Sequence, residues 1–143
     1  MYFNELKVGM TIKLDTVTID KDEMLKFAYA YDNVPLHTDE EYAKSTPFGA
    51  LLAPGVMSFL CVWAKYLEKD FFGEELLAGK STKIEWMKPV FAGDELSSTA
   101  TITNLIPRNA RNGIAELTID AFNQKGEKVL VGVTEAIVKV KSE

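Results

Sequence analysis

The first half of the chain starts with a strand pattern and continues with a helix pattern. Residues 11–19, TIKLDTVTI, alternate imperfectly between apolar and polar and are rich in β-branched side chains, which favours a strand. Asp20 with Glu23 three places on is a helix-start pattern, and apolar residues then recur at helical spacing up to Tyr31. The pattern therefore predicts a strand followed by a helix that ends at Tyr31.

A proline turn and a strongly apolar helix come next. Pro35 lacks a donor N–H and disfavours α geometry in the residue before it, so the chain is predicted to turn there. Asp39 is a typical N-cap for a short helix over residues 39–45. Pro54 is typical of a first helical turn, and residues 55–69 are apolar on almost every side. This helix would be about 22 Å long, which predicts an element in the middle of the molecule.

The second half has the pattern of a β-sheet. Four β-branched, partly alternating runs are separated by turn residues and cover residues 80–90, 95–106, 113–123 and 127–141. They predict an antiparallel meander, and helices followed by strands make the fold class α+β. A sheet that curls around the apolar helix would bury both, which leaves the far side or the edge of the sheet for a partner chain.

Composition narrows the range of functions. The 143 residues have the size of one domain and show no linker or repeat, so residues 1–143 are predicted to form a single domain. The net charge is −5 and Lys and Arg are scattered, so we expect no nucleic-acid binding. No apolar run approaches the roughly 20 residues of a membrane span, so we expect a cytoplasmic protein without membrane contact. One cysteine, Cys61, and one histidine give no usual zinc ligand set, so no metal is expected.

The candidate chemistry lies in the proline turn. His37 stands five places after Asp32, with Pro35 between them, and a carboxylate beside an imidazole can transfer protons. Each residue alone also has a structural interpretation. Asp32 can end the preceding helix or form an Asx turn, and His37 can be a hydrogen-bonded structural side chain. On residue type alone, both interpretations stay open.

Longer stretches of the chain resemble a known family. The segment FAYAYDNVPLHTDEEYAKSTPFGALLAPGV, residues 27–56, together with KPVFAGDEL, residues 88–96, resembles the MaoC-like dehydratases, which include the (R)-specific enoyl-CoA hydratases. The resemblance covers nearly the whole chain, with the motifs in the family's order. It implies a hotdog fold, in which a curved antiparallel sheet wraps a long central helix, and a dimer with its active site near the subunit interface.

The resemblance also implies an activity. Family hydratases add water to a trans-2-enoyl thioester, or remove it from an (R)-3-hydroxyacyl thioester, without a metal or redox cofactor. The family's catalytic pair falls on Asp32 and His37, and its oxyanion-binding glycine falls on Gly55. Two positions differ from the family pattern. Val34 stands where the hydratases have Asn, and Ala53–Gly55 read Ala-Pro-Gly where many members read Ala-His-Gly.

Other candidate positions have competing interpretations. The N–H of Gly55, at a positive helix end, can meet a developing oxyanion, or the glycine can simply permit tight packing. Trp63, slightly over two helical turns further on, is a candidate for the end of an acyl pocket, with an ordinary core aromatic as the alternative. Lys88, Arg108 and Arg111 are candidates for contacts with CoA phosphates, against the default of a solvated surface position.

Three functions follow as hypotheses. The first is a hydro-lyase acting on an acyl-CoA or carrier-protein thioester, with Asp32 and His37 as the dyad. The second is a hotdog thioesterase, in which Asp32 would be the nucleophile or general base. The third is an acyl-thioester-binding subunit without turnover, for which Val34 is the argument. In each case we expect a homodimer or higher oligomer, or pairing with a second, different hotdog chain.

Overall fold

The secondary structure follows the predicted order of helices and then strands. The computed structural model describes residues 1–142. Its elements are a 3₁₀ turn Phe3–Glu5, β1 Thr11–Thr18, α1 Lys21–Tyr31, α2 Pro35–Thr38, α3 Glu40–Lys44, α4 Gly55–Glu68, a second 3₁₀ turn Gly73–Glu75, β2 Leu76–Trp86, β3 Glu95–Pro107, β4 Asn112–Phe122 and β5 Lys128–Lys139. The class is α+β, with α4 packed against a five-stranded antiparallel sheet, as predicted.

The predicted N-caps of the first and third helices, Asp20 and Asp39, are confirmed. The Asp20 carboxylate accepts a hydrogen bond from the Glu23 N–H at 3.0 Å, which caps α1. The Asp39 carboxylate accepts one from the Tyr42 N–H at 3.1 Å, which caps α3. The turn at Pro35 is itself a short helix, α2, because proline is well tolerated at the first helical position. These local contacts set the ends of the elements that flank the candidate dyad.

The order of the strands differs from the prediction at β2. The sheet order is β1-β3-β4-β5-β2, so β3, β4 and β5 form the predicted meander while β2 lies at the edge beside β5. Residues 87–94 cross from that edge to β3 instead of forming a hairpin. They are held on the way by the Ala53 N–H donating to the Val90 carbonyl and the Gly93 N–H donating to the Ile19 carbonyl, each at 2.8 Å. The simple meander of four strands is therefore wrong.

The core lies between α4 and the sheet. The buried positions of α4 are Met57, Ser58, Phe59, Val62 and Tyr66. They face a continuous cluster of buried side chains from the sheet, which includes Leu96, Ile102, Leu117, Ile119, Leu130 and Val138. A Cβ on Gly132 of β5 would lie 2.5 Å from Cε2 of Phe59, so only glycine lets this ring approach the strand so closely. Helix and sheet therefore share one packed interior.

One side of α4 and the edge strand β2 remain uncovered in the single chain. Val56, Leu60 and Leu67 are exposed on α4, although the sequence predicted a helix surrounded on almost every side. Nearly every residue of β2 is exposed as well. Among residues 1–142, no helix is both long and apolar enough to cross a membrane. The apolar side chains of α4 are thus only partly buried within one chain.

Candidate active site

The imidazole of His37 is held by a backbone carbonyl. Its Nδ1 lies 2.7 Å from the carbonyl oxygen of Leu52. Because a carbonyl oxygen only accepts hydrogen bonds, Nδ1 must carry the hydrogen and donate it. The other ring nitrogen, Nε2, lies 3.3 Å from Oδ2 of Asp32. The contact with Leu52 therefore fixes the tautomer of neutral His37, with Nε2 unprotonated and facing the Asp32 carboxylate.

The backbone and the carboxylate of Asp32 have different contacts. Its backbone ends α1, where its N–H donates to the Ala28 carbonyl at 2.9 Å. Its carboxylate faces His37, and the two side chains differ in exposure, 40% for Asp32 and 11% for His37. A proton is needed between Oδ2 and Nε2 if these two acceptors are to attract each other. The pair can thus hold or release one proton at the edge of solvent.

The segment that carries Leu52 is clamped on both sides. The Leu52 N–H donates to the Leu36 carbonyl at 3.2 Å, so the backbone of this residue contacts α2 twice. Leu52 also forms an isolated antiparallel bridge with Phe91, in the crossing segment after β2. The stretches 27–56 and 88–96, which carry the family resemblance, are therefore joined in space through Leu52, whose carbonyl sets the position of the imidazole.

A pocket of about 450 Å³ opens beside the dyad. We call it the dyad pocket, and its lining residues are Asp32, His37, Phe48, Leu52, Ala53, Gly55, Val56, Ser58, Trp86, Met87, Lys88, Pro89 and Val90. The lining is mostly apolar, with the ionisable pair at one wall. A small number of polar groups in an apolar cleft is the usual composition of a small-molecule site.

Gly55 is the first residue of α4 and reaches the dyad pocket. Pro54 precedes it as an N-cap without a side-chain hydrogen bond, and the first N–H groups of an α-helix lack intrahelical acceptors. A Cβ on Gly55 would lie 2.4 Å from Cε2 of Trp86. Tight packing thus explains the glycine directly, and the free helix start is compatible with the predicted oxyanion contact as well.

Two residues singled out in the sequence lie away from the dyad pocket. Trp63 borders a second pocket of about 370 Å³, which we call the aromatic pocket, together with Tyr66, Phe71 and Phe72. Its role in acyl binding stays a prediction. Val34 is the N-cap of α2, and its half-exposed side chain makes no cap hydrogen bond. Its carbonyl accepts from the His37 N–H at 2.9 Å, so this position supports the dyad through the backbone.

Two residues at the end of β2, Trp86 and Met87, line the dyad pocket, although the pattern of their run predicts only a strand. Their position directly before the Lys-Pro-Val motif is the one sequence signal that points to the site. Lys88 also lines the dyad pocket and pairs with Glu127 at 2.8 Å. Hydrogen bonds from Lys88 and Asn123 lower the pKa of the Glu127 carboxyl. The charge of Lys88 is therefore partly neutralised at the pocket mouth.

The described residues give little support to a metal site, to arginine contacts at the dyad pocket or to a cysteine nucleophile. Within residues 1–142, no group of three or more His, Cys, Asp or Glu side chains is arranged to hold a metal ion. Arg108 and Arg111 lie in the turn between β3 and β4, outside the residues that line the dyad pocket. Cys61 is partly buried in α4, and burial raises the pKa of its thiol, which disfavours the thiolate needed of a nucleophile.

A known family matches most of the chain. The family model described as MaoC like domain matches residues 4–121, which include α1 to α4 and the strands up to β4. The chain belongs to the MaoC-like dehydratase family. Both the dyad and the clamped Leu52 segment fall inside the matched region.

Curated relatives of this MaoC-like chain include proteins with and without a stated activity. The uncharacterized protein YdeM of Bacillus subtilis is 27% identical over 97% of this chain and 99% of its own length. A 3-hydroxybutyryl-CoA dehydratase of Methylorubrum extorquens is 30% identical over 98% of this chain and 84% of its own length. The relatives show the family, which includes hydratases and dehydratases.

Solved structures show the same fold. A monoamine oxidase regulatory protein from Archaeoglobus fulgidus superposes with a TM-score of 0.94 at 26% identity, covering 99% of this chain and 96% of that one. An (R)-hydratase from A. caviae involved in PHA biosynthesis gives 0.73 at 29% identity, covering 95% and 98%. The HadBC (3R)-hydroxyacyl-ACP dehydratase complex from Mycobacterium tuberculosis gives 0.77 at 27% identity, covering 91% and 96%. The predicted hotdog fold is thereby confirmed.

Proposed function

We propose that this MaoC-like protein is a hydro-lyase that adds water to an enoyl thioester or removes it from an (R)-3-hydroxyacyl thioester. The observation that carries the proposal is the dyad. Oδ2 of Asp32 and Nε2 of His37 lie 3.3 Å apart at the wall of a largely apolar pocket. Membership in a family that includes hydratases and dehydratases supports the reaction class.

The dyad would handle both proton movements of the reaction. In the hydration direction, a water that donates hydrogen bonds to the Asp32 carboxylate and to Nε2 of His37 attacks the β-carbon and gives one proton to the pair. The α-carbon then takes one proton from the pair, so one water is consumed and the dyad returns to its starting state. Because Leu52 fixes the hydrogen on Nδ1, Nε2 is the imidazole atom through which protons pass. Such acid–base catalysis typically contributes about 10² to 10⁴ in rate.

The start of α4 would stabilise the negative charge that develops on the thioester oxygen. The N–H groups of the first helical turn lack intrahelical acceptors, and the helix dipole makes this end positive. Gly55 occupies the first position of that turn and lines the dyad pocket. One backbone donor of this kind is often worth about 10² to 10³ in rate. We assign this role to the Gly55 N–H.

The proposed substrate is an acyl thioester of CoA or of a carrier protein. The apolar side chains around the dyad, Phe48, Val56, Trp86 and Met87, suit an acyl chain better than a charged group. Addition of water leaves the overall oxidation state of the substrate unchanged, so the proposed reaction uses no redox cofactor. The carboxylate and the imidazole carry the protons, so it uses no metal.

The proposed assembly is a homodimer. The edge strand β2 offers unpaired backbone groups, and α4 exposes Leu60 and Leu67. A second copy of the chain covering both features would bury apolar surface that a single chain leaves in water. The HadBC complex is a precedent for pairing with a different chain. Light scattering on the purified protein would give twice the 15.9 kDa chain mass for the homodimer, and the chain mass itself would contradict it.

Product analysis with crotonyl-CoA tests the function. Loss of the enoyl absorbance without release of free thiol is the expected result, and Asp32→Asn should reduce the rate by about 10² to 10⁴. Asp39→Asn is the matched control, since Asp39 caps α3 and lies outside the dyad pocket. Release of thiol would support a thioesterase instead. Binding of the thioester without either product would support a subunit that has lost turnover.

A further inference from the structure

Trp86 has an unusual position for a large aromatic residue. It is the last residue of the edge strand β2, and 49% of its surface is exposed. It lines the dyad pocket together with Asp32 and His37. Three other apolar residues that line this pocket are exposed as well: Phe48, Val56 and Met87. A cluster of exposed apolar side chains, unlike a single one, commonly marks a site of contact. The proton-transfer and oxyanion roles proposed above make no use of this residue, which so far is only one of the apolar side chains around the dyad.

The indole of Trp86 lies directly against the first residue of α4. The position that a Cβ would take on Gly55 is 2.4 Å from Cε2, 2.6 Å from Nε1 and 2.8 Å from Cζ2 of Trp86. Any other residue at position 55 would push the indole away. The glycine therefore brings an aromatic wall beside the helix start that we assign to the thioester oxygen. An acyl group bound with its carbonyl at that helix start lies next to Trp86.

The other tryptophan has a different environment. The Trp63 ring is stacked between two neighbours on α4, with ring centroids 5.8 Å from Phe59 and 4.9 Å from Tyr66. None of the ring pairs found within residues 1–142 includes Trp86. Trp63 thus packs against side chains of its own helix, whereas Trp86 has no ring partner among these residues and forms part of the wall of the dyad pocket.

We propose that Trp86 determines acyl specificity in this site, by contacting the bound acyl group and limiting the size of the chain that fits beside Gly55. This inference rests on the proposed hydro-lyase function. The physical reason is that an indole offers a large apolar surface with few rotatable bonds, so it binds one shape well and excludes bulkier ones. Removing it would lengthen the pocket beside Gly55 without touching the dyad.

Intrinsic fluorescence separates the two tryptophans and reports binding without turnover. Trp63→Phe leaves Trp86 as the only tryptophan, and Trp86→Phe leaves Trp63. Titration with butyryl-CoA, a saturated thioester that cannot be hydrated, should change the emission of the Trp63→Phe protein and leave that of the Trp86→Phe protein unchanged. A response from Trp63 alone or from both residues equally, or no response from Trp86, would overturn the proposal.

A chain-length series tests the specificity itself. The rates with four-, eight- and twelve-carbon enoyl-CoA substrates are compared for wild type, Trp86→Ala and Trp63→Ala. Trp86→Ala should raise kcat/KM for the eight-carbon relative to the four-carbon substrate by at least about 10-fold, the usual scale for a change in apolar pocket size. Equal effects at every length, or a shift caused by Trp63→Ala alone, would contradict the assignment of Trp86. Absence of hydration by wild type would instead refute the proposed function, while the fluorescence titration would still decide whether Trp86 meets the acyl group.

Discussion

The two ends of α4 each border a pocket, and the pockets have similar sizes but different chemistry. The dyad pocket at the helix start has a volume of about 450 Å³, and the aromatic pocket further along has about 370 Å³. In the first, Asp32 and His37 are within ion-pair distance. The second contains a group of aromatic side chains and no histidine. Size alone thus does not separate a reactive site from a packing feature, whereas converging reactive groups do.

The ionisable groups of the two pockets are also held differently. In the dyad pocket, the Leu52 carbonyl fixes one nitrogen of His37 and leaves the other for exchange. In the aromatic pocket, burial raises the pKa of the Tyr66 hydroxyl, so this group stays neutral and cannot act as a base near neutral pH. Glu135 is engaged there by the Ser81 hydroxyl. The comparison supports the proposal that protons are transferred in the first pocket, where a carboxylate and an imidazole face each other.

The largest expected effect is a loss of activity, and two variants of His37 distinguish the roles of its ring nitrogens. In His37→Asn the amide N–H can still donate to the Leu52 carbonyl, but the atom equivalent to Nε2 is gone. We expect kcat/KM for crotonyl-CoA to fall by about 10² to 10⁴ with little loss of stability. His37→Ala should lose the same activity and also about 1 to 2 kcal/mol of unfolding free energy, because Leu52 loses its donor. Wild-type rates for His37→Asn would place proton transfer elsewhere.

The next effect concerns the wall of the dyad pocket. Gly55→Ala keeps the backbone N–H but places a methyl group 2.4 Å from Cε2 of Trp86. Overpacking of this kind should cost about 1 to 3 kcal/mol in unfolding free energy and lower the activity. Because Trp86→Ala removes the obstructing ring, the double variant should regain most of the stability. Additive losses in denaturant unfolding would show that the contact with Trp86 is not the reason for the glycine.

A smaller effect is expected in the aromatic pocket. Trp63 is only partly buried, so Trp63→Ala should cost about 1 to 2 kcal/mol, less than the 3 to 5 kcal/mol typical of a fully buried tryptophan. Trp86→Ala, in a more exposed position, should cost less than that. Urea unfolding of both variants measures the order. A larger stability loss for Trp86→Ala would mean that this residue, and not Trp63, is the structural tryptophan.

The smallest effect addresses the position at which the chain differs from the hydratase pattern. Val34 is the N-cap of α2, and an Asn there could accept a hydrogen bond from a free N–H of the first turn. Val34→Asn should therefore raise the unfolding free energy by about 0.5 to 1 kcal/mol and change kcat/KM by less than about threefold. Thermal unfolding measures the change in stability, and initial rates measure the change in kcat/KM. A gain in activity of tenfold or more would show that the amide acts on the substrate.

Local chemistry explains why much of the fold could be predicted. The caps at Asp20 and Asp39 depend on residues three places apart, and the strands on alternation within each run. The place of β2 depends instead on residues 87–94, whose anchors at Ala53 and Ile19 lie far away in sequence. Nothing in the β2 run itself distinguishes an edge strand beside β5 from a neighbour of β3.

Of the candidate site, only the reactive side chains could be predicted from the sequence, and not the contacts that position them. The sequence shows Asp32 and His37 as a carboxylate and an imidazole on either side of a proline. In the folded chain, Oδ2 of Asp32 and Nε2 of His37 lie 3.3 Å apart. The role of Leu52 could not be predicted, because every residue has a carbonyl and only the folded chain shows which one accepts the hydrogen bond from Nδ1. Trp86 was missed for a related reason. Its contact with Gly55 joins a strand end to a helix start, which no local pattern encodes.

The most direct test of the account is a double-mutant cycle on the dyad. The value of kcat/KM for crotonyl-CoA is measured for wild type, Asp32→Asn, His37→Asn and the double variant. If the two side chains act as one proton-transfer unit, the double variant should be about as slow as the slower single variant, since the second substitution removes nothing further. Losses that multiply would show that Asp32 and His37 act independently, and unchanged rates in both single variants would remove the dyad from the mechanism.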